Sequence, residues 1–409
     1  MAEKNFKRLN INKIKFNIFE VIGIMFVTII CTITLTISVS FFADKKPEKI
    51  KNEADLLEFT NTYNTLVSEY YSHINKKELI DSAISGMMDY LNDPYTEYYS
   101  KEESESITTN LDGKYNGIGV EILFDSNKKL IINKVYENSP AMSAGLKEKD
   151  IILKVGNEDV SDKKISEISS LIKNEKEKVV KLQILRDNKK INFNVGKASI
   201  EMKSVLYRII NNDNKKIAKI DITVFASNTY KQFVKIFDEV KKAGVDGIIL
   251  DLRGNTGGHL SVATSIIEMF LDKDVVMYKL EKNNTIKDIK SKTSKVIDTK
   301  TAILVNRLTA SASEILASSL NENLGVDLVG VTTYGKGKVQ NTKKLSNGSV
   351  IKYTIESWLT SKGKEIDGKG LKPTNIVEQT EDYYKKRTDD NDNQLKEAVK
   401  IITKNDSDK

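Results

Sequence analysis

The sequence predicts an α/β protein that carries a smaller α+β domain on its N-terminal side, preceded by a helical region and one transmembrane helix. Three patterns lead to this fold class. Residues 21–42 carry no charge, residues 113–196 hold short β-branched runs, and residues 197–381 alternate apolar strands with amphipathic helices. With 39% hydrophobic and 30% charged residues, the 409-residue chain can bury a core.

The uncharged run Val21–Phe42 is 22 residues long. As a helix it extends about 33 Å, which is enough for a hydrocarbon core of about 30 Å. Basic residues outnumber acidic ones in residues 1–20, which predicts a cytoplasmic tail. We therefore predict a single-pass protein of the cell membrane with its main domain outside the cytoplasm. A cleaved signal peptide and a buried helix are the alternatives, but the run exceeds the usual signal-peptide core.

Composition excludes several kinds of chemistry. Cys31 is the only cysteine and lies in the apolar run, so the rest of the chain has no disulfide, thiol nucleophile or thiolate ligand. The only histidines are His73 and His259, which is too few for a histidine-rich metal site. We predict no metal and no cofactor. The net charge of +7 is spread along the chain without an aromatic-interleaved basic stripe, so nucleic acid is not a predicted partner.

Changes of pattern divide the rest of the chain. Apolar side chains recur every three or four residues in the helical region, which is typical of a packing or dimerisation segment. The C-terminal tail is highly charged and holds a short predicted helix, Gln394–Thr403. The predicted boundaries are 1–20 for the basic tail, 21–42 for the anchor, 44–104 for the helical region, 105–196 for the smaller domain, 197–381 for the α/β domain and 382–409 for the charged tail.

Within the two domains, β-branched runs predict strands and amphipathic stretches predict helices. In the smaller domain, two helical pieces separate the runs at 117–122, 130–132, 150–155 and 179–185; they are Pro140–Ala144 and Lys164–Lys173. In the α/β domain the predicted strands are Lys216–Ile222, Gly247–Leu252 and Thr301–Val305, and the predicted helices are Thr229–Ala243, Leu260–Phe270 and Ser313–Asn321.

Three segments of the α/β domain carry candidate chemistry. An apolar strand runs into a glycine-rich turn at 251–258, where backbone N–H groups can converge on a developing anion. A second strand ends before hydroxyl residues that open a helix, where Ser311 is a candidate nucleophile. Lys336 stands between two glycines and is a candidate general base if it is desolvated. Each has an ordinary alternative: a plain turn, helix capping by Ser311 or Ser313 with Glu314, and a solvated loop lysine.

Together the three segments resemble the carboxyl-terminal processing (tail-specific) protease family. The run Asp251–Gly258 is similar to the family's DLR-x-N-x-GG, Ala310–Ile315 to its SASASEI, and Tyr334–Gln340 to its FGKG-x-VQ. The resemblance covers about residues 50–404 and implies a Ser–Lys serine peptidase on an α/β protease core. It implies Ser311 as the nucleophile, Lys336 as the base and Gln340 as the residue that orients the lysine. It implies backbone oxyanion donors at Ala312 and Gly257, with Gly258 as a near alternative.

The smaller domain resembles a PDZ module. Its carboxylate-binding loop falls on four consecutive residues, Gly117, Ile118, Gly119 and Val120, and Pro140–Ile152 is similar to the P-A-x-x-A-G-L signature that follows. PDZ modules capture a chain end as an added strand. Asp93–Tyr98 also resembles the family's DPY-S-x-Y. Arg186 is a candidate latch between the PDZ-like domain and the protease core.

The sequence departs from the family pattern at a few positions. Thr309 replaces the first serine of the motif, and His259 follows the glycine pair where an apolar residue is usual. A Ser–His pairing of Ser311 with His259 is a minor alternative.

The predicted function is that of a membrane-anchored serine endopeptidase that cleaves extracytoplasmic proteins at or near their C-terminal region. Its predicted partners are protein or peptide substrates with accessible C-termini and the membrane. A homodimer through the helices at 50–91 and 394–403, and a regulatory partner, are further hypotheses. A non-cleaving tethered binding protein and a non-peptidase hydrolase are the alternative functions. Both catalytic residues are present, which argues against the first, and the PDZ-like domain is hard to explain for the second.

Overall fold

The computed structural model describes residues 53–125, 127–174 and 178–404. The predicted transmembrane run and basic tail lie outside these residues. Among the residues that are described, no helix is both long enough and apolar enough to span a membrane. The chain divides into two compact units, one that ends at Ile80 and one that begins at Asp81.

The helical region holds three helices and one short strand. They are α1 (Glu53–Glu69), α2 (Lys76–Tyr90), β1 (Glu97–Tyr99) and α3 (Lys101–Asp112). Helix α2 ends at Tyr90, just before Asn92-Asp93-Pro94, a sequence that is typical of a helix end. Helix α3 begins at Ser100, whose backbone N–H donates to Glu103 at 2.9 Å, and ends at Gly113 with a φ of 65°. This reciprocal cap explains why a polar segment forms a helix here.

The smaller domain is a six-stranded antiparallel sheet with two helices and a separate strand pair. Its elements are β2 (Lys114–Gly117), β3 (Val120–Phe124), β4 (Leu130–Val135), α4 (Pro140–Ala144), β5 (Ile151–Val155), β6 (Glu158–Asp159), α5 (Ile165–Asn174), β7 (Val179–Arg186), β8 (Lys189–Gly196) and β9 (Ala198–Glu201). The sheet order is β3-β4-β5-β7-β8 with β6 beside β5, and β2 pairs with β9. Strand β3 is therefore an edge strand. The two predicted helical pieces are confirmed to within one residue.

The α/β domain contains ten strands and five helices among the described residues. In chain order they are β10 (Val205–Asn212), β11 (Lys215–Ile222), α6 (Thr229–Lys242), β12 (Gly247–Asp251), α7 (Leu260–Glu268), β13 (Val276–Lys282), β14 (Thr285–Lys290), β15 (Thr301–Val305), α8 (Ala312–Leu324), β16 (Asp327–Gly330), β17 (Lys338–Lys344), β18 (Val350–Thr360), β19 (Asn375–Ile376), α9 (Glu381–Lys385) and α10 (Asn393–Thr403). The main sheet has the order β10-β11-β12-β15-β16-β19 and is parallel except at β10. The strand–helix alternation predicted from the sequence is confirmed.

Side chains on the two faces of the main sheet enter different cores. On β12, Ile248 and Leu250 pack in the core that includes helices α6, α7 and α8, whereas Ile249 packs on the opposite face. All five residues of β12 are buried, which is typical of a parallel strand covered on both sides. Because parallel strands end at the same edge, the loops after β12 and β15 meet there.

A second sheet, which the sequence patterns did not predict, stands beside the main one. It is antiparallel and joins the β13–β14 hairpin through β18 to β17, with β1 of the helical region also paired to β18. Glu97 of β1 lies opposite Lys352, a register that matters for the site described below. The segment that carries Lys336 leads directly into β17.

The C-terminal segment is part of the core and not only a charged tail. Helix α10 buries Leu395, Ala398 and Ile402 against the back face of the main sheet. Its cap, Asp392, accepts hydrogen bonds from the Arg253 guanidinium at 2.8 and 2.9 Å, and Arg253 also binds Asp251. Because the apolar face of α10 is used within the chain, residues 394–403 are not available for the homodimer contact considered above.

Truncation of Leu395, which packs α10 against the main sheet, is expected to destabilise the α/β domain. Leu395→Ala should lower the free energy of unfolding by about 2–5 kcal/mol, because it leaves a cavity against the sheet. Urea unfolding followed by the fluorescence of the single tryptophan, the buried Trp358, measures the change. The exposed Lys400 on the same helix is the control, and Lys400→Ala should stay within about 0.5 kcal/mol of the parent. Equal stability of both variants would show that α10 does not support the sheet.

Candidate active site

An open cleft of about 580 Å³ lies where the loops that follow β12 and β15 meet. The cleft is lined by residues from all three sequence motifs: Gly257, Gly258, Ser311, Lys336 and Gln340. Ala312, the remaining predicted site residue of the protease core, is buried behind Ser311. The structure therefore brings the predicted catalytic set together in one place.

Ser311 stands in a strained turn between a strand and a helix. Strand β15 ends at Val305, and α8 begins at Ala312, the residue after the serine. The backbone of Ser311 has a φ of 56° and a ψ of −120°, a conformation that side-chain-bearing residues rarely adopt. Strain of this kind is typical of nucleophile turns that push a serine into a cleft at a helix N-terminus.

The neighbouring Ser313 has a different position. It is completely buried, and its hydroxyl donates to the carbonyl of Asn255 at 3.0 Å. This hydrogen bond ties the start of α8 to the glycine turn. Of the two serines left open by the sequence, only Ser311 lines the cleft.

The glycine turn needs glycine at both positions. Gly257 has a φ of 108° and Gly258 a φ of 139°, which side chains disfavour. A Cβ at Gly257 would lie 3.0 Å from Cβ of Ser311 and 3.3 Å from the Ala312 nitrogen. A Cβ at Gly258 would lie 2.4 Å from the Phe225 carbonyl oxygen. The turn thus packs its backbone directly against the serine.

The backbone N–H groups of the predicted oxyanion donors differ in whether they already make a hydrogen bond. The Gly257 N–H donates to the side-chain oxygen of Asn255 at 2.9 Å, so in this arrangement it is not available to an oxyanion. For the N–H groups of Gly258 and Ala312, no hydrogen bond is found within the described part of the chain. The near alternative, Gly258, is therefore the better candidate to act together with Ala312.

Lys336 is held at its backbone and shielded at its amine. Its N–H donates to Glu314 at 3.0 Å, and its carbonyl accepts from the Trp358 indole at 2.8 Å. The amine lies 5.0 Å from the centre of the Tyr95 ring. Burial, and next the nearby Lys352 ammonium, lower the pKa of Lys336 to about 8. A measurable fraction of this lysine is therefore neutral near physiological pH, as a general base must be.

Glu314 has a role that the sequence did not reveal beyond helix capping. It is fully buried, and one carboxylate oxygen accepts from the N–H groups of Ser311 at 2.8 Å and Lys336 at 3.0 Å. The other oxygen accepts from the Thr333 hydroxyl at 2.5 Å and the Gly335 N–H at 2.8 Å. One carboxylate thus fixes the serine turn relative to the lysine loop. The only sequence signal was the three-residue spacing from Ser311, which is also that of a capping box.

Gln340 lies in the cleft, but its visible partner is not the lysine. Its side-chain amide donates to the Thr354 hydroxyl on the neighbouring strand at 3.4 Å. Residues 340 and 354 are paired across β17 and β18. Within the described residues no hydrogen bond joins Gln340 to Lys336, so the orienting role implied by the resemblance rests on proximity alone.

His259 also lines the cleft without pairing with Ser311. Its Nε2 lies 3.1 Å from the Leu111 carbonyl, which can only accept, so this nitrogen carries the proton. No contact between His259 and Ser311 occurs among the described hydrogen bonds, which argues against a Ser–His pair. In the part of the chain that the structure describes, no group of three or more His, Cys, Asp or Glu side chains is suited to a metal ion.

The predicted carboxylate-binding loop connects β2 to the edge strand β3. Gly117 ends β2 and Val120 begins β3, while Ile118 is buried and its carbonyl accepts from Ala141 at 2.8 Å. Gly119 has a φ of 83° and packs tightly on Ser139 at the start of α4. The open edge of β3 is the kind of surface to which a peptide strand adds.

Arg186 is bound inside the smaller domain. Its guanidinium donates to both carboxylate oxygens of Asp150 at 2.6 Å and to the Gly145 carbonyl at 2.9 Å. It also stacks 5.5 Å from the centre of the Phe193 ring. All of the Arg186 contacts found among the described residues lie within its own domain, so the hypothesis that Arg186 latches this domain to the protease core gains no support from them.

Three family models match the chain. Residues 216–377 match peptidase family S41, residues 131–186 match a PDZ domain, and residues 23–103 match the N-terminal domain of the activating protease CtpB. The S41 match contains the cleft residues from Gly257 to Gln340.

Individual relatives match over most of the chain. A probable CtpA-like serine protease of Staphylococcus haemolyticus is 34% identical over 88% of this chain and 73% of its own length. The carboxy-terminal processing protease CtpA of Bacillus subtilis is 32% identical over 87% of this chain and 75% of its own length. Among solved structures, a photosystem II D1 C-terminal processing protease has a TM-score of 0.46 and 22% identity, over 80% of this chain and 88% of that one.

Proposed function

The chain belongs to peptidase family S41, among the carboxy-terminal processing serine proteases, and from this premise we propose that it works with a Ser311–Lys336 pair on membrane-proximal proteins outside the cytoplasm. The observation that carries the proposal is the shared cleft, which is lined both by a strained serine at a helix N-terminus and by a half-buried lysine. The Glu314 carboxylate, which binds the backbone of both residues, supports it.

In this mechanism the neutral Lys336 amine takes the proton of the Ser311 hydroxyl as the serine oxygen bonds to the scissile carbonyl carbon. The tetrahedral intermediate collapses when the C–N bond breaks and Lys336 returns the proton to the leaving amine. Lys336 then takes a proton from a water molecule as the water oxygen bonds to the acyl carbon, and it returns that proton to the Ser311 oxygen when the ester C–O bond breaks. With a pKa of about 8, roughly a tenth of Lys336 is neutral near pH 7.

The negative charge of the intermediate needs donors in fixed positions. The Ala312 N–H has no partner in the first turn of α8, where the helix dipole adds a partial positive charge. The Gly258 N–H is the second donor in this proposal. Each such donor contributes about 2.7–4 kcal/mol to lowering the barrier in related sites.

Substrate chain ends bind the PDZ-like domain in this proposal. An extended C-terminus adds to the edge of β3, and the N–H groups of the loop from Gly117 to Val120 hold the terminal carboxylate. The substrate is thereby held while a bond nearer its middle reaches Ser311.

The location is also part of the proposal. The apolar run Val21–Phe42, with a basic stretch before it, supports a single transmembrane anchor and a catalytic domain outside the cytoplasm. A homodimer through the region before residue 92 stays a hypothesis, supported by exposed Leu56, Leu57 and Phe59 on α1. A regulatory partner stays a hypothesis as well.

Cleavage of matched tails tests chain-end recognition. Full-length protein in detergent micelles is incubated with an unfolded substrate that ends in an apolar tail, either with a free carboxylate or with an amidated end. The free end should be cleaved with a kcat/KM about 10- to 100-fold higher, since hydrogen bonds to a charged group contribute about 1.5–3 kcal/mol. Ser311→Ala provides the blank.

Three outcomes contradict parts of the proposal. Equal cleavage of the two tails would remove the role of the PDZ-like domain in binding the carboxylate. Cleavage by Ser311→Ala would remove Ser311 as the nucleophile. If neither protein cleaves but both retain the free tail, the chain is a binding protein on a protease fold.

A further inference from the structure

The segment Asp93–Tyr99 lies beside the catalytic lysine although it is more than 230 residues away in sequence. Strand β1 pairs with β18, with Glu97 opposite Lys352 and Tyr99 opposite Val350. Just before β1, the ring of Tyr95 lies beneath the Lys336 amine, which is 5.0 Å from the ring centre. The sequence motif at Asp93–Tyr98 did not by itself indicate a chemical role.

Tyr95 is fixed in place by its neighbours. Its N–H donates to the Asp93 carboxylate at 3.0 Å, and the Thr96 hydroxyl donates to the same carboxylate at 2.6 Å. The Thr96 hydroxyl also accepts from the Thr354 N–H at 3.2 Å, which ties the turn to β18. Asp93 thus closes a rigid turn that presents the tyrosine ring to the cleft.

The next residues of the segment bind the second lysine near the site. Lys352 lines the cleft, and its ammonium donates to Glu97 and, at 2.8 Å, to the Tyr99 hydroxyl. The same strand β1 therefore holds a cation close to Lys336 and neutralises it in part. Turn and strand together supply one wall of the lysine site.

Building on the proposed Ser311–Lys336 pair, we propose that Tyr95 is a positioning residue for the catalytic base: its ring covers the Lys336 amine, excludes water from it and keeps it aimed into the cleft. The turn that carries Tyr95 is then part of the lysine site and not a linker. No contact of Tyr95 with substrate is needed for this role.

Two effects of the ring oppose each other. A cation over an aromatic face is stabilised, which favours the ammonium form of Lys336. Removal of water from the amine favours the neutral form. Burial is the largest cause of the lowered pKa of Lys336, and the Tyr95 ring, 5.0 Å from the amine, supplies part of that cover. In this proposal the exclusion of water by the ring outweighs its attraction for the ammonium. Removal of the whole Tyr95 side chain should therefore raise the pKa of Lys336. Replacement of the ring by an apolar side chain that still shields the amine should not raise it.

The charged groups around Lys336 come from every element packed on it. Lys352 on β18 disfavours the ammonium, while Glu97 on β1, Asp93 in the turn and Glu314 on α8 favour it. A variant at Tyr95 leaves all four charges in place. A shift of the Lys336 pKa in a Tyr95 variant therefore reports a change of shielding and not a change of nearby charge.

The test measures how fast a fluorophosphonate labels Ser311 in the full-length protein in detergent, as a function of pH. Tyr95→Ala should raise the midpoint of the profile by about one pH unit and lower the labelling rate near neutral pH about tenfold. Tyr95→Phe should keep the parent's midpoint. Tyr95→Leu, which retains apolar cover without the ring, should not raise it.

Tyr98→Ala is the matched control, because Tyr98 lies three residues further along the chain in β1, and its hydroxyl donates to Asp81 at 2.6 Å. The ring that lies over the Lys336 amine is that of Tyr95 and not that of Tyr98. It should lower the unfolding temperature without moving the midpoint. An unchanged midpoint in Tyr95→Ala that unfolds like the parent, or an equal shift in Tyr98→Ala, overturns the role of Tyr95. Undiminished labelling of Lys336→Met shows instead that the Ser–Lys pair itself is misassigned.

Discussion

Lys336→Met is expected to lower kcat/KM by about 10²- to 10⁴-fold, the contribution typical of a general base. Methionine keeps an unbranched apolar side chain in the cleft and removes only the amine that takes the serine proton. In the parent, kcat/KM should rise about tenfold for each pH unit below pH 8 and level off above it, because only the neutral amine accepts a proton and its pKa is about 8. The variant should lose this rise. Cleavage of a tailed substrate between about pH 6 and pH 10 measures both effects.

Lys338 provides the control for this substitution. It lies two residues further along the chain, at the first position of β17, and its amine is 3.6 Å from Asp367, a partner outside the proposed pair. Lys338→Met removes the same charge and should keep kcat/KM within about threefold, as expected for a surface ion pair. Comparable losses in both variants would mean that the positive charge of the loop, and not the base, is what the reaction needs. Undiminished activity of Lys336→Met would end its assignment as the base.

The sequence predicts the residues of this site that stand in short motifs, and it does not predict the features that depend on contacts in the folded chain. Ser311 and Lys336 stand in short motifs whose order and residue types were recognisable, and the predicted strand Thr301–Val305 followed by a helix is confirmed around Ser311. Short motifs do not show which backbone N–H groups already make hydrogen bonds in the folded protein. That the Gly257 N–H is already bound to Asn255 depends on the rotamer of one side chain, which no motif specifies.

Long-range pairing was the second kind of missing information. Strand β17 is rich in lysine and polar residues, and neither β17 nor β18 was among the strands predicted from the sequence, yet the two pair over seven register positions. Tyr95 reaches Lys336 only because β1 adds to this sheet. Helix α10 was predicted as a short helix in a charged tail, but its docking on the main sheet was not predicted. Three apolar residues, spaced three and four apart, are enough to dock it. Tertiary contacts decide such segments, and local composition does not.

Glu314→Gln is the second substitution with a large expected effect. The carboxylate accepts four hydrogen bonds and donates none, and each oxygen faces two donors. A glutamine must direct its NH₂ group at one of these pairs, and a backbone N–H cannot accept from it, whereas the Thr333 hydroxyl can. One or two buried hydrogen bonds therefore become donor–donor contacts, depending on the orientation of the amide. The free energy of unfolding should fall by about 1–3 kcal/mol. Because Ser311 and Lys336 are fixed through this group, a displacement of about 1 Å between them should also lower kcat about 100-fold.

Glu322 on the same helix separates the two effects. It is also a shielded carboxylate with several donors, accepting from Ser361 at 2.7 Å and the Lys362 N–H at 2.9 Å, but it does not line the cleft. Glu322→Gln should cost similar stability and keep kcat within about threefold, because it connects α8 to the end of β18 and not the serine to the lysine. Urea unfolding and steady-state kinetics on the three proteins give both numbers. If kcat falls equally in both variants, the loss reflects general loosening of α8; if it falls only in Glu314→Gln, one buried carboxylate holds the two halves of the catalytic pair in register.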